Sequence, residues 1–254
     1  YVRDRLAGVT ELASTDSSGL PAGGVSTAPS ISADGQVVAF ESTATNLVRD
    51  DGNGVSDIFV RNRTTGETVL ASVGWDGSPA NGFSRNAALS LDGEHVAFES
   101  VASNLVPDDT NGFIDVFVRD LVTGQTELVD RDSNGVQVGV AAYPAISRDG
   151  RFVAFLGEGG QFVPGDNNGK TDIFVRDRVT GQTSAASVSS TGQFGNDWSG
   201  QTFEFYDERW LSADGRFVAF MSSATNLVPN DVNARDDVFL HDGLSGQTTL
   251  VSLD

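Results

Sequence analysis

Residues 108–124, DDTNGFIDVFVRDLVTG, place acidic and amide side chains in a tight loop and follow them with a strand-like run that ends in Arg119 and Asp120. The stretch reads either as a cation-binding loop or as punctuation between two strands. It is not unique in the chain. DGNGVSDIFVRNRTTG ends at Gly66, DNNGKTDIFVRDRVTG at Gly181 and DVNARDDVFLHDGLSG at Gly246.

Each copy is preceded by a second shared segment: ISADGQVVAF, LSLDGEHVAF, ISRDGRFVAF or LSADGRFVAF. From the aspartate of each S-x-D-G (Asp34, Asp92, Asp149, Asp214) to the loop aspartate (Asp51, Asp109, Asp166, Asp231) is 17 residues in all four copies. From the loop aspartate to the closing glycine is 15. A fixed internal spacing of this kind makes each repeat one supersecondary unit, as in solenoids, propellers and arrays. The units read as strands, because the runs are short, rich in Val, Ile and Phe, and bounded by D-G, N-G and T-G turn signals. Each repeat is expected to supply four strands: an inner one ending at S-x-D-G, then V-A-F, then D-[IV]-F-V-R-D, then the run after T-G. Glycine at D-G and T-G accepts the positive φ that such hairpins require. Four antiparallel strands per repeat is the make-up of a propeller blade.

The S-x-D-G-x-x-V-A-F segment, the aspartate before IFVRD and the closing T-G-x-T resemble the TolB-type β-propeller repeat, over nearly the whole chain. The resemblance implies an all-β propeller, a secreted or periplasmic bacterial setting, and a role as a protein- or ligand-binding platform, in some cases fused to an enzyme. One fold carries many functions, so the site has to be argued separately. The opening YVRDRLAGVTELAS matches only the last two strands of a repeat, with Gly8 in the T-G place. The expected organisation is a single propeller domain with a partial blade over 1–26 and blades over 27–84, 85–142, 143–209 and 210–254. Five blades with the first incomplete is the preferred count, and a homo-oligomer that completes the first blade is the alternative.

The 254 residues suffice to bury roughly 70–75% of the unfolded surface, with the core distributed between blades. Zero Cys means no disulfide and no thiol chemistry, and no apolar run is long enough to insert in a membrane. With 35 Asp and Glu against 16 Lys and Arg, the net charge of −19 repels nucleic acid and favours a cation or a basic partner.

The loop pattern D-x-N-[GA]-x-x-D gives Asp51, Asn53, Asp57; Asp109, Asn111, Asp115; Asp166, Asn168, Asp172; and Asp231, Asn233, Asp237. These are hard oxygen donors of the kind calcium takes. The segment resembles the latter part of the D-x-D-x-D-G-x-x-D calcium loops of integrin-type propellers. It departs from them at the leading position, where Arg49, Pro107, Pro164 and Pro229 stand. On this reading the first three copies are favoured over the fourth, which has Ala234 for Gly. The competing reading needs no metal: Asp and Asn before Gly form Asx turns that satisfy loop N–H groups. The repeated Arg3, Arg61, Arg119 and Arg176, with His241 in the last copy, and the acidic or amide residue after each, read as hairpin braces.

Successive S-x-D-G segments are 58, 57 and 65 residues apart, so about eight extra residues lie between Gly181 and Asp214. That connection carries Trp198, Phe203, Phe205, Tyr206, Asp207 and Trp210. Aromatics beside carboxylates stack on sugars or anchor peptides, which makes Trp198, Tyr206, Asp207 and Trp210, with Trp75 elsewhere, the candidate ligand-binding residues. The competing reading makes TFEFY an edge strand whose Phe residues pack inward. No catalytic constellation is expected: His95 and His241 occupy repeat slots, and no nucleophile motif is present. The expected function is a non-catalytic protein-binding or assembly module, a carbohydrate-binding module the alternative and a glycosidase pair from Glu204 with Asp207 or Glu208 a remote one.

Overall fold

The computed structural model describes residues 1–158, 162–200, 210–229, 231–233 and 235–252. Its described elements are all strands. A two-stranded antiparallel sheet pairs β1 (Val2–Asp4) with β2 (Val9–Glu11). Three four-stranded antiparallel sheets follow in chain order. The first holds β3 (Ser26–Ile31), β4 (Val37–Ser42), β5 (Asp57–Asn62) and β6 (Glu67–Leu70). The second holds β7 (Ser84–Leu89), β8 (His95–Ser100), β9 (Asp115–Asp120) and β10 (Thr126–Leu128). The third holds β11 (Val140–Ile146), β12 (Phe152–Glu158), β13 (Asp172–Asp177) and β14 (Gln182–Ala185). A last sheet of three described strands joins β15 (Phe217–Ser222), β16 (Asp237–Asp242) and β17 (Gln247–Leu250).

The register repeats. Phe40 faces Phe59, Phe98 faces Phe117, Phe155 faces Phe174 and Phe220 faces Phe239 across the central strand pair. The ring centroids lie 5.9, 6.0, 5.9 and 5.7 Å apart, the separation at which offset aromatic pairs attract. The T-G glycines Gly66, Gly124, Gly181 and Gly246 have φ between 69° and 74°, which closes each outer hairpin.

Alternate residues of these strands enter different cores. Ala39, Ile58 and Val60 of the first four-stranded sheet pack with Val96, Phe98 and Phe117 of the second. Ala97, Val116 and Val118, on the second sheet's opposite face, pack with Val153, Phe155 and Phe174 of the third. Ala154, Leu156 and Ile173 then pack with Val218, Phe220 and Phe239. In the three four-stranded sheets the V-A-F strands are buried on both faces because each sheet is sandwiched between its neighbours, whereas Ala219 of the last sheet is exposed.

Each inner strand of the four-stranded sheets breaks register once: between Thr27 and Ser30, between Arg85 and Ala88, and between Ala142 and Ala145. Within these bulges Ala28, Asn86 and Tyr143 take φ of 45°, 55° and 54°, a conformation that non-glycine residues adopt only where the surroundings impose it. The last sheet resumes the same register on either side of its longer segment. Ser199 bridges Ser222 and Leu211 bridges Val218, as Ser84 and Leu89 pair with Ser100 and Val96. The extra residues of the fourth repeat therefore enter the chain at the bulge. The reading of TFEFY as an edge strand, together with Phe203, Glu204, Phe205, Tyr206, Asp207 and Glu208, lies outside the described residues, as does Ala234.

Candidate functional site

The second aspartate of each loop opens a strand: Asp57, Asp115, Asp172 and Asp237 are the first residues of β5, β9, β13 and β16, and all four are buried. Ser72 Oγ donates to Asp57 Oδ1 at 2.6 Å, and Asn53 Nδ2 donates to Asp57 Oδ2 at 2.7 Å. Ser187 and Asn168 hold Asp172 at 2.6 and 2.7 Å in the same way, and Ser252 donates to Asp237 Oδ1 at 2.6 Å. Burial pushes the Asp57 and Asp172 carboxyls up to about 6, and the nearby charge of Asp51 or Asp166 adds to the rise. Burial also raises Asp51 and Asp166 themselves.

The asparagines are tied into the loop itself. The side-chain oxygens of Asn53, Asn111, Asn168 and Asn233 accept the N–H two residues on, from Val55, Phe113, Lys170 and Arg235, at 2.8 to 3.1 Å. The amide nitrogens of Asn53, Asn111 and Asn168 donate to the loop's second aspartate and to a carbonyl of the next connection, Ala80, Gly139 or Gly195. These residues brace the turn and aim the aspartate.

The second loop departs from the others at two places. Asp130 stands where the first and third have Ser72 and Ser187, and like them it accepts a strand N–H, that of Val116, at 3.0 Å. Burial drives its carboxyl well above the ordinary carboxylate range, reinforced by the hydrogen bond and charge of Asp115, whose own carboxyl burial also raises. Gln137 Nε2 donates to both Asp109 Oδ1 at 2.9 Å and Asp115 Oδ1 at 3.1 Å. Both differences stand in the sequence, as an Asp in a Ser slot and a Gln in the slot of Pro79 and Phe194, and repeat alignment at those two columns exposes them.

The candidate aromatics separate. Trp75 and Trp198 are 66% and 58% exposed. Trp210 is buried in the core with Leu156, Val218 and Phe220, so it packs and does not present itself to a ligand; its slot in the inner strand points inward, which the sequence connection concealed. Trp198 edges a cavity of 390 Å³ lined by Tyr143, Leu156, Met221, Arg85 and Asp197 among others. The second, third and last sheets all contribute to this wall. Its charged groups are partly committed: Lys170 pairs with Asp197 at 3.1 Å, while Arg85 pairs with the fully buried Glu99 and lies 5.0 Å over the Phe83 ring. Glu99 also accepts the Tyr143 N–H at 2.7 Å, which ties the third sheet's bulge to the second sheet. Sequence reading did not single out Arg85, Glu99 or Tyr143, because their meeting depends on how neighbouring sheets stack.

The arginine slot is a brace. Arg61 Nη1 donates to Asp16 O, Gly66 O and Thr68 Oγ1 at 2.9, 2.6 and 3.0 Å, and Arg176 repeats the contacts with Asp132 O and Thr183 Oγ1. His241 keeps the pattern through Thr248 Oγ1 at 2.9 Å.

No protein-family profile matches the chain, and no curated protein matches it. Solved structures do. One of two prolyl endopeptidases is 15% identical over 89% of this chain and 29% of that one, at a TM-score of 0.51. A Mycobacterium tuberculosis puromycin-hydrolysing peptidase is 16% identical over 89% of this chain and 28% of its own, at 0.50. TolB from Acinetobacter baumannii is 20% identical over 91% and 45%, at 0.47. The chain thus spans less than half the length of these proteins, and a fold shared by peptidases and TolB assigns no activity by itself. Among the described residues no helix is long and apolar enough to cross a membrane. The repeated four-stranded antiparallel sheets, each sharing one core with the sheet before it and another with the sheet after, give the chain the β-propeller fold it shares with these peptidase structures.

Proposed function

We propose that the chain is a non-catalytic binding or assembly module that takes a protein segment at the cavity beside Trp198. The observation that carries this reading is the exposed indole of Trp198 at the rim of an apolar cavity built by three sheets. An apolar side chain of a partner fills such a recess while Trp198 covers it, the arrangement of a binding hot spot. The −19 net charge and the rim carboxylates of Glu158, Asp197 and Asp236 favour a partner with basic residues flanking the apolar anchor. The non-catalytic reading is supported by the two histidines. His241 is held in the arginine slot by Thr248, and His95 takes the strand place that Val37, Phe152 and Phe217 fill in the other copies. A secreted or periplasmic setting rests on the repeat's resemblance and fits a chain with no Cys.

A carbohydrate ligand is the second reading, favoured by the adjacency of Trp198 to the Asp197 carboxylate, a stacking face beside a hydrogen-bond acceptor. Tryptophan fluorescence separates the two. Quenching or a blue shift by basic-apolar peptides, abolished in Trp198→Ala and absent with a panel of oligosaccharides, is the expected result. Response to the oligosaccharides alone transfers the site to a sugar, and response to neither, in a folded protein, removes the reading.

A further inference from the structure

Just before its bulge, each inner strand sets one residue across from the residue that follows V-A-F. The pair is Thr27 with Glu41 in the first four-stranded sheet, Arg85 with Glu99 in the second and Ala142 with Leu156 in the third. In the last sheet Met221 follows V-A-F, and Gly200 donates its N–H to Met221 O at 2.9 Å. Two repeats therefore carry a polar pair at this place, and two carry apolar side chains or none. Arg85, Ala142, Leu156, Gly200 and Met221 all line the cavity beside Trp198. The cavity is thus two-sided, apolar where the third and last sheets meet and charged where the second sheet reaches it.

Among the described residues that line the cavity, Arg85 is the one cation. Its Nε donates to Glu99 Oε1, and its guanidinium carbon lies 5.0 Å from the centroid of the Phe83 ring. Glu99 is fully buried and accepts the Tyr143 N–H on its other oxygen, so both of its oxygens are engaged. These contacts fix the guanidinium plane and leave Nη1 and Nη2 without an acceptor among the described residues, on a side chain that is 42% exposed. A guanidinium held by one edge, with its remaining N–H groups free, is preorganised for a carboxylate, which accepts parallel N–H bonds. The carboxylates of the same wall are engaged elsewhere or open to solvent: Lys170 pairs with Asp197, Ser223 donates to Asp236, and Glu158 is exposed. They oppose a ligand that is acidic along its length and favour positive charge near a single carboxylate. A chain end combines one carboxylate, one adjoining side chain and room for basic residues before them.

We propose that the cavity takes the C-terminal residue of a partner protein, with its apolar side chain against Ala142, Leu156, Gly200 and Met221 and its terminal carboxylate on the Nη groups of Arg85. Basic residues upstream in the partner then face Glu158, Asp197 and Asp236. The proposal rests on the reading of this cavity as a protein-segment site. Glu99 acts through Arg85 as a positioning residue. An internal segment would offer Arg85 only a neutral carbonyl, and a hydrogen bond to an ionised acceptor is about twice as strong.

The test is a tryptophan-fluorescence titration of the full chain with N-acetylated Lys-Lys-Gly-X peptides, X being Leu, Ile or Phe, each as the free acid and as the C-terminal amide. The free acids are expected to bind roughly 10- to 100-fold more tightly, the range of a charge-assisted contact. Arg85→Gln brings the acid-to-amide ratio to about one and leaves amide binding unchanged. That substitution strips buried Glu99 of its partner, so Arg85→Gln/Glu99→Gln, which removes both charges, is measured beside it. The wild-type ratio decides even where neither variant folds. Equal affinity for acid and amide overturns the proposal and leaves the protein-segment reading standing. An acid preference that persists in a folded Arg85→Gln variant also overturns it. No response to either form overturns it together with that reading.

Discussion

Asp115 and Asp130 meet in a fully buried contact where two other repeats pair an aspartate with a serine. Two carboxyls this close cannot both ionise, so the pair keeps a proton. The folded-state pKa of Asp130 lies above its unfolded value, and the stability this lends is complete below pH ~4, then lost as pH rises through the raised value. Asp130→Ser restores the hydroxyl of the sister repeats and removes the titration. The variant is expected to gain about 1–3 kcal/mol over wild type at neutral to alkaline pH, with the two converging near pH 4. Thermal unfolding from pH 4 to 9 checks this, and parallel curves would show that the pair does not share a proton. At the same scale the asparagines brace the turn, each side-chain oxygen accepting the N–H two residues on.

The inner strands show how a repeat absorbs an addition. In each of the three complete sheets the bulge holds a non-glycine residue at positive φ, Ala28, Asn86 or Tyr143. Pairing is already broken there, so inserted residues disturb no ladder hydrogen bond on either side. The fourth repeat keeps Ser199 against Ser222 and Leu211 against Val218 around its longer segment. Replacing residues 201–209 by Asn-Ala, the pair at positions 86 and 87 of the second repeat, is therefore expected to give a folded chain whose unfolding stays cooperative and shifts by only a few degrees. Calorimetry reads this, and loss of cooperative unfolding would mean that the segment belongs to the core. The central strands tolerate no such change. Phe98 and Phe117 are fully buried and shared between sheet and core, and a length change there moves every side chain to the other face.

Stacking sheets through four separate cores makes the molecule quasi-one-dimensional: each sheet depends on its neighbours more than on any distant part. Over this framework lies a net charge of −19, whose self-repulsion opposes the compact state. Raising sodium chloride from about 20 to about 200 mM shortens the Debye length from ~20 to ~7 Å, and the unfolding temperature of the chelator-stripped protein is expected to rise with it. A flat or falling response would show that the carboxylates are dispersed too widely to repel.

The sequence by itself determined the repeat, the strand composition and the order of the sheets, because turns and alternation are local: a D-G or T-G pair and the Phe of V-A-F act within a few residues. It also marked the fourth repeat as the altered one and placed Trp198 among the candidate ligand residues of its longer connection, since both follow from comparing copies. What only the tertiary structure decided depends on groups distant in the chain. Trp210 falls into a core, Tyr143 donates its N–H to Glu99 and Gln137 reaches back to Asp109 through the packing of connections and neighbouring sheets. How a loop aspartate is satisfied is set in part by a side-chain donor some 15 to 28 residues away, and spacing within the loop carries no trace of that donor.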